Sequence, residues 1–567
     1  MAGSSIMRLL DSLSSRSSVR YLVYSCSLAF FFALILIPPI LGIVLKWNTM
    51  ADIFGNSSLM SRATSAIYAS FAIALFVSFI DVIAGLPMAW FITRGGFKWL
   101  RSLDTLADIP FVIPTVALGY SLLLFWSDPN QGISSLFGGS LVSPGWLLII
   151  LLHFAFSYPV VVRVMVGALL DYKREYEEAA RTLGAAPLTA DRTVTLPILK
   201  TALITSFILA FARSVSETGA TIMVAGILEN GKWIGFENGP VFIRNVMKEA
   251  EEASSINYEG PLVFVSFVLI AISCIIFLTI RLLGPRLKMP TKKVWPMAER
   301  KLSSSGVTNF RNGISLLVFL ILVLIPSLFV ALPAFYAITN GTLNQAVTGM
   351  GAWQGYWQSL TLSYSLGIIV TLLNAIIGLP MAVLIARRRL GTTLSSILDV
   401  LVNIPLIVPS IALGVSLSIF WKNFAFIPEI VLLIFVHLSI TYPYFVRSMA
   451  AAIERVNIDF EEASRTLGGR PFTVFRTIIL PLTKYSLIAG AVMVFTRSVS
   501  ETGATLAVTK LKTAPVLLVG WVKPFLANPS TAPVNSLEIG LGCGILVLFS
   551  FIILLVLRLF TRGKGMY

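Results

Sequence analysis

Long apolar runs separated by short polar loops give this chain its pattern. A helix needs about 20 mostly apolar residues to cross a bilayer. Twelve runs meet or approach that length: 21–45, 67–92, 105–126, 146–170, 201–226, 261–283, 313–336, 360–385, 400–421, 429–452, 485–509 and 540–560. The first is longer than the apolar core of a secretory leader, and no small-residue cleavage signal follows it, so it reads as a span. The pattern predicts an all-α polytopic membrane protein with about 12 transmembrane helices.

Composition supports that reading and removes others. Of 567 residues, 56% are hydrophobic and 12% charged, where a soluble domain carries about 25% charged residues. That is too little charge to cover a water-facing surface, and too much apolar residue for a disordered chain. Lys plus Arg number 43 and Asp plus Glu 27, a net charge of +16. In so apolar a chain this excess points to basic cytoplasmic loops rather than to nucleic acid. The basic clusters are Arg8, Arg16 and Arg20; Arg94, Lys98 and Arg101; Arg387, Arg388 and Arg389; Arg562 and Lys564. The stretch 284–312 adds seven basic residues against one acid. Loop 337–359 carries no charge and 127–145 only Asp128. The positive-inside rule then predicts that both termini are cytoplasmic. Loop 227–260, with Glu249, Glu251, Glu252 and Glu259, falls outside and reads as a solvated acidic segment. Cys26, Cys274 and Cys543 each sit in an apolar run and suggest neither a disulfide framework nor a zinc site.

The chain repeats itself. Arg213–Thr221 and Arg497–Thr505 are the same nine residues, RSVSETGAT, 284 positions apart. At that offset, 13 of 23 positions of 175–197 and 459–481 are identical. His153, Tyr158, Pro159 and Arg163 map onto His437, Tyr442, Pro443 and Arg447. Pro110, Pro114, Gly119 and Trp126 map onto Pro405, Pro409, Gly414 and Trp421 at offset 295. Six spans per copy is an even number, so the copies are parallel repeats related by an axis along the membrane normal. The expected organisation is a first repeat over 1–283, a basic cytoplasmic linker over 284–312 and a second repeat over 313–567.

Each repeat has one long cytoplasmic loop after its fourth span, within 171–200 and 453–484. The first contains EEAARTLGAAPLTADRTVTLP and the second EEASRTLGGRPFTVFRTIILP. Each predicts a short helix, a turn and another short helix. Glu177 and Glu178 suit a helix start through its dipole. Gly184 and Gly468 suit the positive φ that ends a helix, and Pro187 and Pro471 suit the first turn of the next. Ala179 and Ala180 leave room for another surface. Pro197 and Pro481 mark the approach to the next span, and Arg181, Arg192, Arg465 and Arg476 are expected to face water or a partner.

These loops resemble the signature of permease subunits of binding-protein-dependent ABC importers: Glu-Ala-Ala, three residues, Gly, nine residues, Ile-x-Leu-Pro. Glu178, Ala179, Ala180, Gly184, Leu196 and Pro197 match in the first copy, with Val194 for Ile. Glu462, Ala463, Gly468, Ile478, Leu480 and Pro481 match in the second, with Ser464 for the second Ala. The resemblance covers roughly 60–285 and 355–560. It implies a type I ABC importer permease fold in the inner membrane of a prokaryote. It further implies that the loops couple to two separate ATPase subunits, which hold ATP and magnesium, and that an extracytoplasmic binding protein delivers substrate. The chain itself then needs no cofactor, catalytic residue or metal, and its remaining partner is membrane lipid.

Ionisable groups inside a span are functional candidates. Arg213 and Glu217, and Arg497 and Glu501, are spaced i, i+4, which on a helix puts them on one face. They read either as a gate, with Gly219 and Gly503 loosening the helix and the two copies meeting across the pore, or as structural braces. The stretch resembles the Gly-Glu-Phe-Gly-Ala stretch of molybdate, tungstate and sulfate permeases, with Ser216/Thr218 and Ser500/Thr502 replacing the Gly and Phe. The fused layout resembles ferric-iron and thiamine permeases. The expected cargo is an inorganic ion, either ferric iron or an oxyanion, with thiamine or another small organic solute as the alternative.

Other readings find less support. Gly226–Lys232 fits GxxxxGK, but Trp233 stands where a nucleotide loop needs Ser or Thr. His153 and His437 lack carboxylate partners and suit hydrogen bonds between helices. A secondary transporter needs ionisable sites in its spans, and these spans offer few besides Glu217 and Glu501. No cluster suggests an enzyme.

Overall fold

The computed structural model describes residues 2–97, 99–107, 109–229, 232–252, 259–286 and 294–561. Lys98, Gly231, residues 287–293 of the linker, Arg562 and Lys564 lie outside the described residues. Within them the chain is helical apart from one antiparallel hairpin, Gly226–Glu229 with Lys232–Gly235. Its strands hold the described ends of the GxxxxGK segment, Gly226–Glu229 and Lys232.

Nine helices among the described residues are long and apolar enough to cross a membrane, or eleven if each of two bent pairs is one span. Four of the twelve expected runs are interrupted. Run 400–421 is Thr392–Ile407 followed by Ser410–Trp421, bent by 103°. Its counterpart, 105–126, is the series Leu100–Leu106, Ile109–Val112 and Thr115–Ser127. Pro114 and Pro409 sit at these breaks with extended backbone, ψ 137° and 129°. A proline also disfavours helix in the residue before it. Runs 201–226 and 485–509 stop at Ser216 and Ser500, because Glu217 and Glu501 are extended, ψ 127° and 131°. Apolar periodicity misses such breaks, since the residues beyond them are equally apolar and buried.

The two halves are interleaved. The first span, Ser17–Leu45, packs on the second half. Ser27 donates to the Ile377 carbonyl at 2.8 Å, and Phe31 stacks on Tyr442 with ring centroids 5.6 Å apart. The seventh, Ser305–Thr339, packs on the first half. There Ser121 donates to the Pro326 carbonyl at 2.6 Å, and Phe319 stacks on Tyr158 at 6.3 Å. Tyr158 and Tyr442 are the same repeat position, so the crossing is symmetric. Both crossing spans carry a π-helical turn at the contact, Phe31–Leu36 and Phe319–Leu324.

The crossing extends onto the loops. Helix Ala2–Ser15 lies against Pro471–Val474. Ser14 accepts the Phe472 N–H at 3.1 Å, and Thr473 donates to Asp11 at 2.7 Å. Helix Pro296–Leu302, inside the expected linker, lies against Pro187–Ala190. Ser303 accepts the Leu188 N–H at 3.0 Å, and Glu299 takes the Thr189 hydroxyl and pairs with Arg192 at 2.7 Å. A helix start leaves N–H groups without intrahelical partners. Here each loop helix receives its cap from the segment ahead of a crossing span. The Thr189 hydroxyl, the Trp295 N–H and Arg192 hold the Glu299 carboxyl below the usual carboxylate range. Arg192 therefore faces an internal acid, not water or a partner as the sequence suggested.

Candidate functional site: two exposed loops and a broken-helix constriction

Each signature loop opens with a short helix, Glu175–Thr182 or Ile458–Thr466. The first glutamate of each acidic pair is buried and held from the end of the second or eighth span. Arg94 meets Glu177 at 3.1 Å, and Arg387 meets Glu461 at 2.7 Å. This anchor turns the next residues outward. Glu178 and Ala179 are exposed and Ala180 half-buried; Glu462 and Ala463 are exposed and Ser464 half-buried. Gly184 and Gly468 have φ +89° and +86° and are exposed in open space. In a β-branched residue this conformation costs about 1–2 kcal/mol. Leu196, Pro197 and Leu480 are half-buried and Pro481 exposed at the start of the returning helices. At each turn the leucine before the glycine projects fully, Leu183 at 90% exposure and Leu467 at 89%. Tyr176 and Phe460 are also exposed, so each loop presents an aromatic and a leucine beside polar residues. The sequence reading passed over these four. The Thr-Leu-Gly identity of the two copies was the available signal.

The other set lies a helix length away. Lys200–Ser216 has 17 residues, about 25 Å at 1.5 Å per residue, with the loop at one end and the break at Glu217 at the other. The loop set and the charged set are therefore not brought together; a helix joins them.

At the break the expected shared helix face is corrected, because Glu217 and Glu501 have left the helices that carry Arg213 and Arg497, although the Arg497–Glu501 pair itself forms. Each carboxylate accepts an N–H at the opening of the next short helix. Glu217 takes Ala220 at 2.8 Å and Glu501 takes Ala504 at 2.9 Å. Arg497 still reaches Glu501 at 2.7 Å, whereas Arg213 lies over the Phe156 ring at 3.8 Å. His153 spans the break, its Nδ1 2.7 Å from Ser214 and its Nε2 2.9 Å from Thr221. His437 does the same between Ser498 and Thr505, at 2.9 and 3.0 Å. No group of three metal-binding side chains occurs among the described residues.

The two breaks face each other. A Cβ on Gly219 would lie 2.7 Å from Thr502 Oγ1, and one on Gly503 2.6 Å from Thr218 Cγ2. Thr115 donates to the Ser500 carbonyl at 3.2 Å, and Ser410 to Thr218 at 3.3 Å. These glycines thus permit close approach of the halves, where the sequence reading had them loosening a helix. The result is a closed, buried constriction made of equivalent pieces of both repeats. Asp81, fully buried in the second span, is an ionisable group that the sequence reading overlooked. Ser157 donates to it at 2.5 Å, and at the equivalent place in the second half Asn374 donates to Thr441 at 2.9 Å.

Comparison with known proteins finds a family match over residues 81–289 and 378–562, described as the binding-protein-dependent transport system inner membrane component. Among relatives, the sulfate transport system permease protein CysT of Salmonella typhimurium is 35% identical over 207 residues, 35% of this chain and 72% of that protein. CysT of Escherichia coli K12 is 32% identical over 207 residues, with the same coverage. CysT of Synechococcus elongatus is 29% identical over 244 residues, 42% of this chain and 86% of the relative.

Proposed function

The chain belongs to the family of inner membrane components of binding-protein-dependent transport systems, and we propose that it forms by itself the whole pore of an ATP-driven oxyanion importer. As a family member it is a multi-pass permease working with an ATPase and a binding protein. The proposal beyond that is one chain with two ATPase subunits, both termini cytoplasmic, and an inorganic oxyanion of the sulfate, molybdate or tungstate kind as cargo. The observation that carries it is the doubled match on one polypeptide, with two equivalent loops exposed and two equivalent breaks meeting at one constriction.

In this reading Glu178, Ala179, Ala180, Gly184, Leu196 and Pro197 form one ATPase-docking surface, and Glu462, Ala463, Ser464, Gly468, Leu480 and Pro481 the other. Leu183 and Leu467 insert into the ATPase. ATPase closure moves the loops, and the helices Lys200–Ser216 and Leu480–Ser500 carry that motion to Arg213, Glu217 and Gly219 and to Arg497, Glu501 and Gly503. The relatives named for sulfate favour an anion over ferric iron or thiamine. So do the helices Thr115–Ser127 and Ser410–Trp421, which start at the constriction and turn positive dipole ends toward it.

The test is reconstitution of the chain with its ATPase and binding protein in proteoliposomes. Labelled sulfate or molybdate should enter only with ATP and the loaded binding protein. Native mass measurement should give one copy of this chain and two ATPase subunits. Two copies of the chain per complex, or uptake of thiamine or ferric iron alone, would overturn the corresponding part. Gly184→Val with Gly468→Val should leave the permease in the membrane but unable to hold the ATPase; unchanged transport would remove the loops from that role.

A further inference from the structure

Motion sent from a signature loop has to pass a weak point in each half. Glu217 and Thr218 separate helix Lys200–Ser216 from helix Gly219–Val224, and Glu501 and Thr502 separate Leu480–Ser500 from Gly503–Val508. Glu217 is extended and Thr218 has φ −125° and ψ −50°, so the helix is interrupted there. A few such residues are what a hinge uses to absorb an applied motion. Left to itself the turn would flex, and a pull from the loop would stop at Ser216.

A histidine from a third helix bridges each turn. His153 lies on Trp146–Asp171, which packs along Lys200–Ser216 and also touches Gly219–Val224. His437 lies on Glu429–Arg455, which packs in the same way on Leu480–Ser500 and Gly503–Val508. Both rings are buried. Their partners, Ser214 with Thr221 and Ser498 with Thr505, stand on opposite sides of the turn. These are the second and last residues of the repeated nonapeptide. In the first half the Thr221 hydroxyl donates to the Glu217 carbonyl at 3.3 Å. The His153 Nε2–H therefore donates to Thr221, and Nδ1 accepts from Ser214. A neutral imidazole carries one donor and one acceptor nitrogen on a rigid ring. The Glu217 cap joins the turn to the helix that follows it; the histidine joins the helices on both sides to a third.

We propose that His153 and His437 are positioning residues that lock the two breaks, so that motion of the signature loops reaches the constriction instead of being lost in the turns. The helix that carries each histidine ends at the same loop. His153 stands about 27 Å from the loop end of Trp146–Asp171, at 1.5 Å per residue. The loop therefore pulls on two packed helices at once, and the histidine pins both to the short helix beyond the break. Loop, paired helices and short helix move as one lever, and the facing glycines Gly219 and Gly503 part with it. This inference rests on the coupling route proposed above and is independent of which cargo is carried.

The experiment follows the constriction itself, in the permease–ATPase complex in nanodiscs. Cys26, Cys274 and Cys543 are replaced by alanine, and Thr218→Cys, buried beside Gly503, reports opening by its reaction with a water-soluble methanethiosulfonate reagent. With both histidines present, ATP, vanadate and the binding protein should speed labelling over the nucleotide-free rate. His153→Phe with His437→Phe keeps a buried ring and removes its hydrogen bonds. The gain in labelling should fall about tenfold or more, as two lost bonds per half predict, while ATPase retention stays at the wild-type level. His153→Gln with His437→Gln, whose amides offer one donor and one acceptor each, should restore part of the gain, which a role in packing alone would not give. Ser214→Ala with Thr221→Val cuts the lock from the other side. It should reproduce the loss caused by His153→Phe and add nothing to it, and it decides the matter should the phenylalanine variant fail to assemble. Undiminished labelling without the ring's bonds, no return with glutamine, or full additivity of the partner and ring variants overturns the lock. If position 218 stays unreactive with both histidines present and the ATPase bound, the coupling route itself fails and the lock with it. A loss confined to the variants leaves the route standing and supports the lock.

Discussion

The two halves share a backbone plan at the constriction but not a charge plan. Both break a helix at the same glutamate, cap the next helix with that carboxylate, and bridge the break with a histidine. Yet Arg213 lies on Phe156, while the equivalent of Phe156 is Ile440, and Arg497 pairs with Glu501. An aromatic face attracts a guanidinium and an aliphatic chain does not. One substitution in a neighbouring span thus changes what surrounds the cation while the break stays in place. Likewise Asp81 in the first half stands where Asn374 stands in the second. The break and the close approach are matched in both halves; the groups that neutralise charge around them are not.

The largest expected effect comes from breaking what the halves share. Gly219→Val with Gly503→Val puts side chains where the opposite threonines already stand. Overpacking of this kind costs about 1–3 kcal/mol per site, so the closed constriction should be lost. Proteoliposomes should leak cargo without ATP and show ATP hydrolysis that no longer depends on the binding protein. Tight, coupled vesicles would mean that the contact is not the gate.

Removing charge should separate the halves. Glu501→Gln leaves Arg497 buried beside a neutral amide, and losing one partner of a buried pair costs about 3–5 kcal/mol. Glu217→Gln leaves Arg213 its ring. Both variants should weaken the dependence of ATPase rate on the loaded binding protein, Glu501→Gln more strongly. Equal effects would mean that Phe156 contributes nothing, and full stimulation in both would leave the pairs as braces only.

At the loops the halves are alike, so Leu183→Asp and Leu467→Asp should each reduce ATPase retention during purification to a similar extent, and together abolish it. A loss confined to one of them would reveal an asymmetric dock. The smallest effect is expected from Asp81→Asn, which gives the first half the group the second half already uses. Transport should stay within about twofold of wild type, as for a substitution worth less than about 0.5 kcal/mol. A large loss would make Asp81 a working carboxylate.

The repeat, the loops and the facing nonapeptides were legible because they are written in residue identity. Gly184 and Pro187 announce their turn by chemistry that few other residues supply. The breaks at Glu217 and Glu501 were not legible, because a buried unwound turn among apolar residues has the same hydropathy as helix. The crossing of the first and seventh spans was hidden for a different reason. Packing partners hundreds of residues apart leave no periodic trace, and Ser27 or Ser121 reads like any small polar residue in a span. Glu299 and Asp11 looked like isolated acids in basic segments; only the fold reveals that each meets a loop threonine.

The crossing also sets a timetable for making the protein. Ser27 and Ile377 are 350 residues apart, and Ser121 and Pro326 are 205 apart. At about 5–20 residues per second of synthesis, the N-terminal span waits roughly 20–70 s in the bilayer before its seat on the second half exists. The seventh span finds its seat on the first half already built. The later joint of the two is then the one that brings the amino-terminal helix to the second loop, so that loop receives its cap only after most of the chain has emerged. Until then a ribosome-bound intermediate carries a finished first loop and an unfinished second one, and an ATPase subunit meeting it during synthesis would find a single complete docking surface.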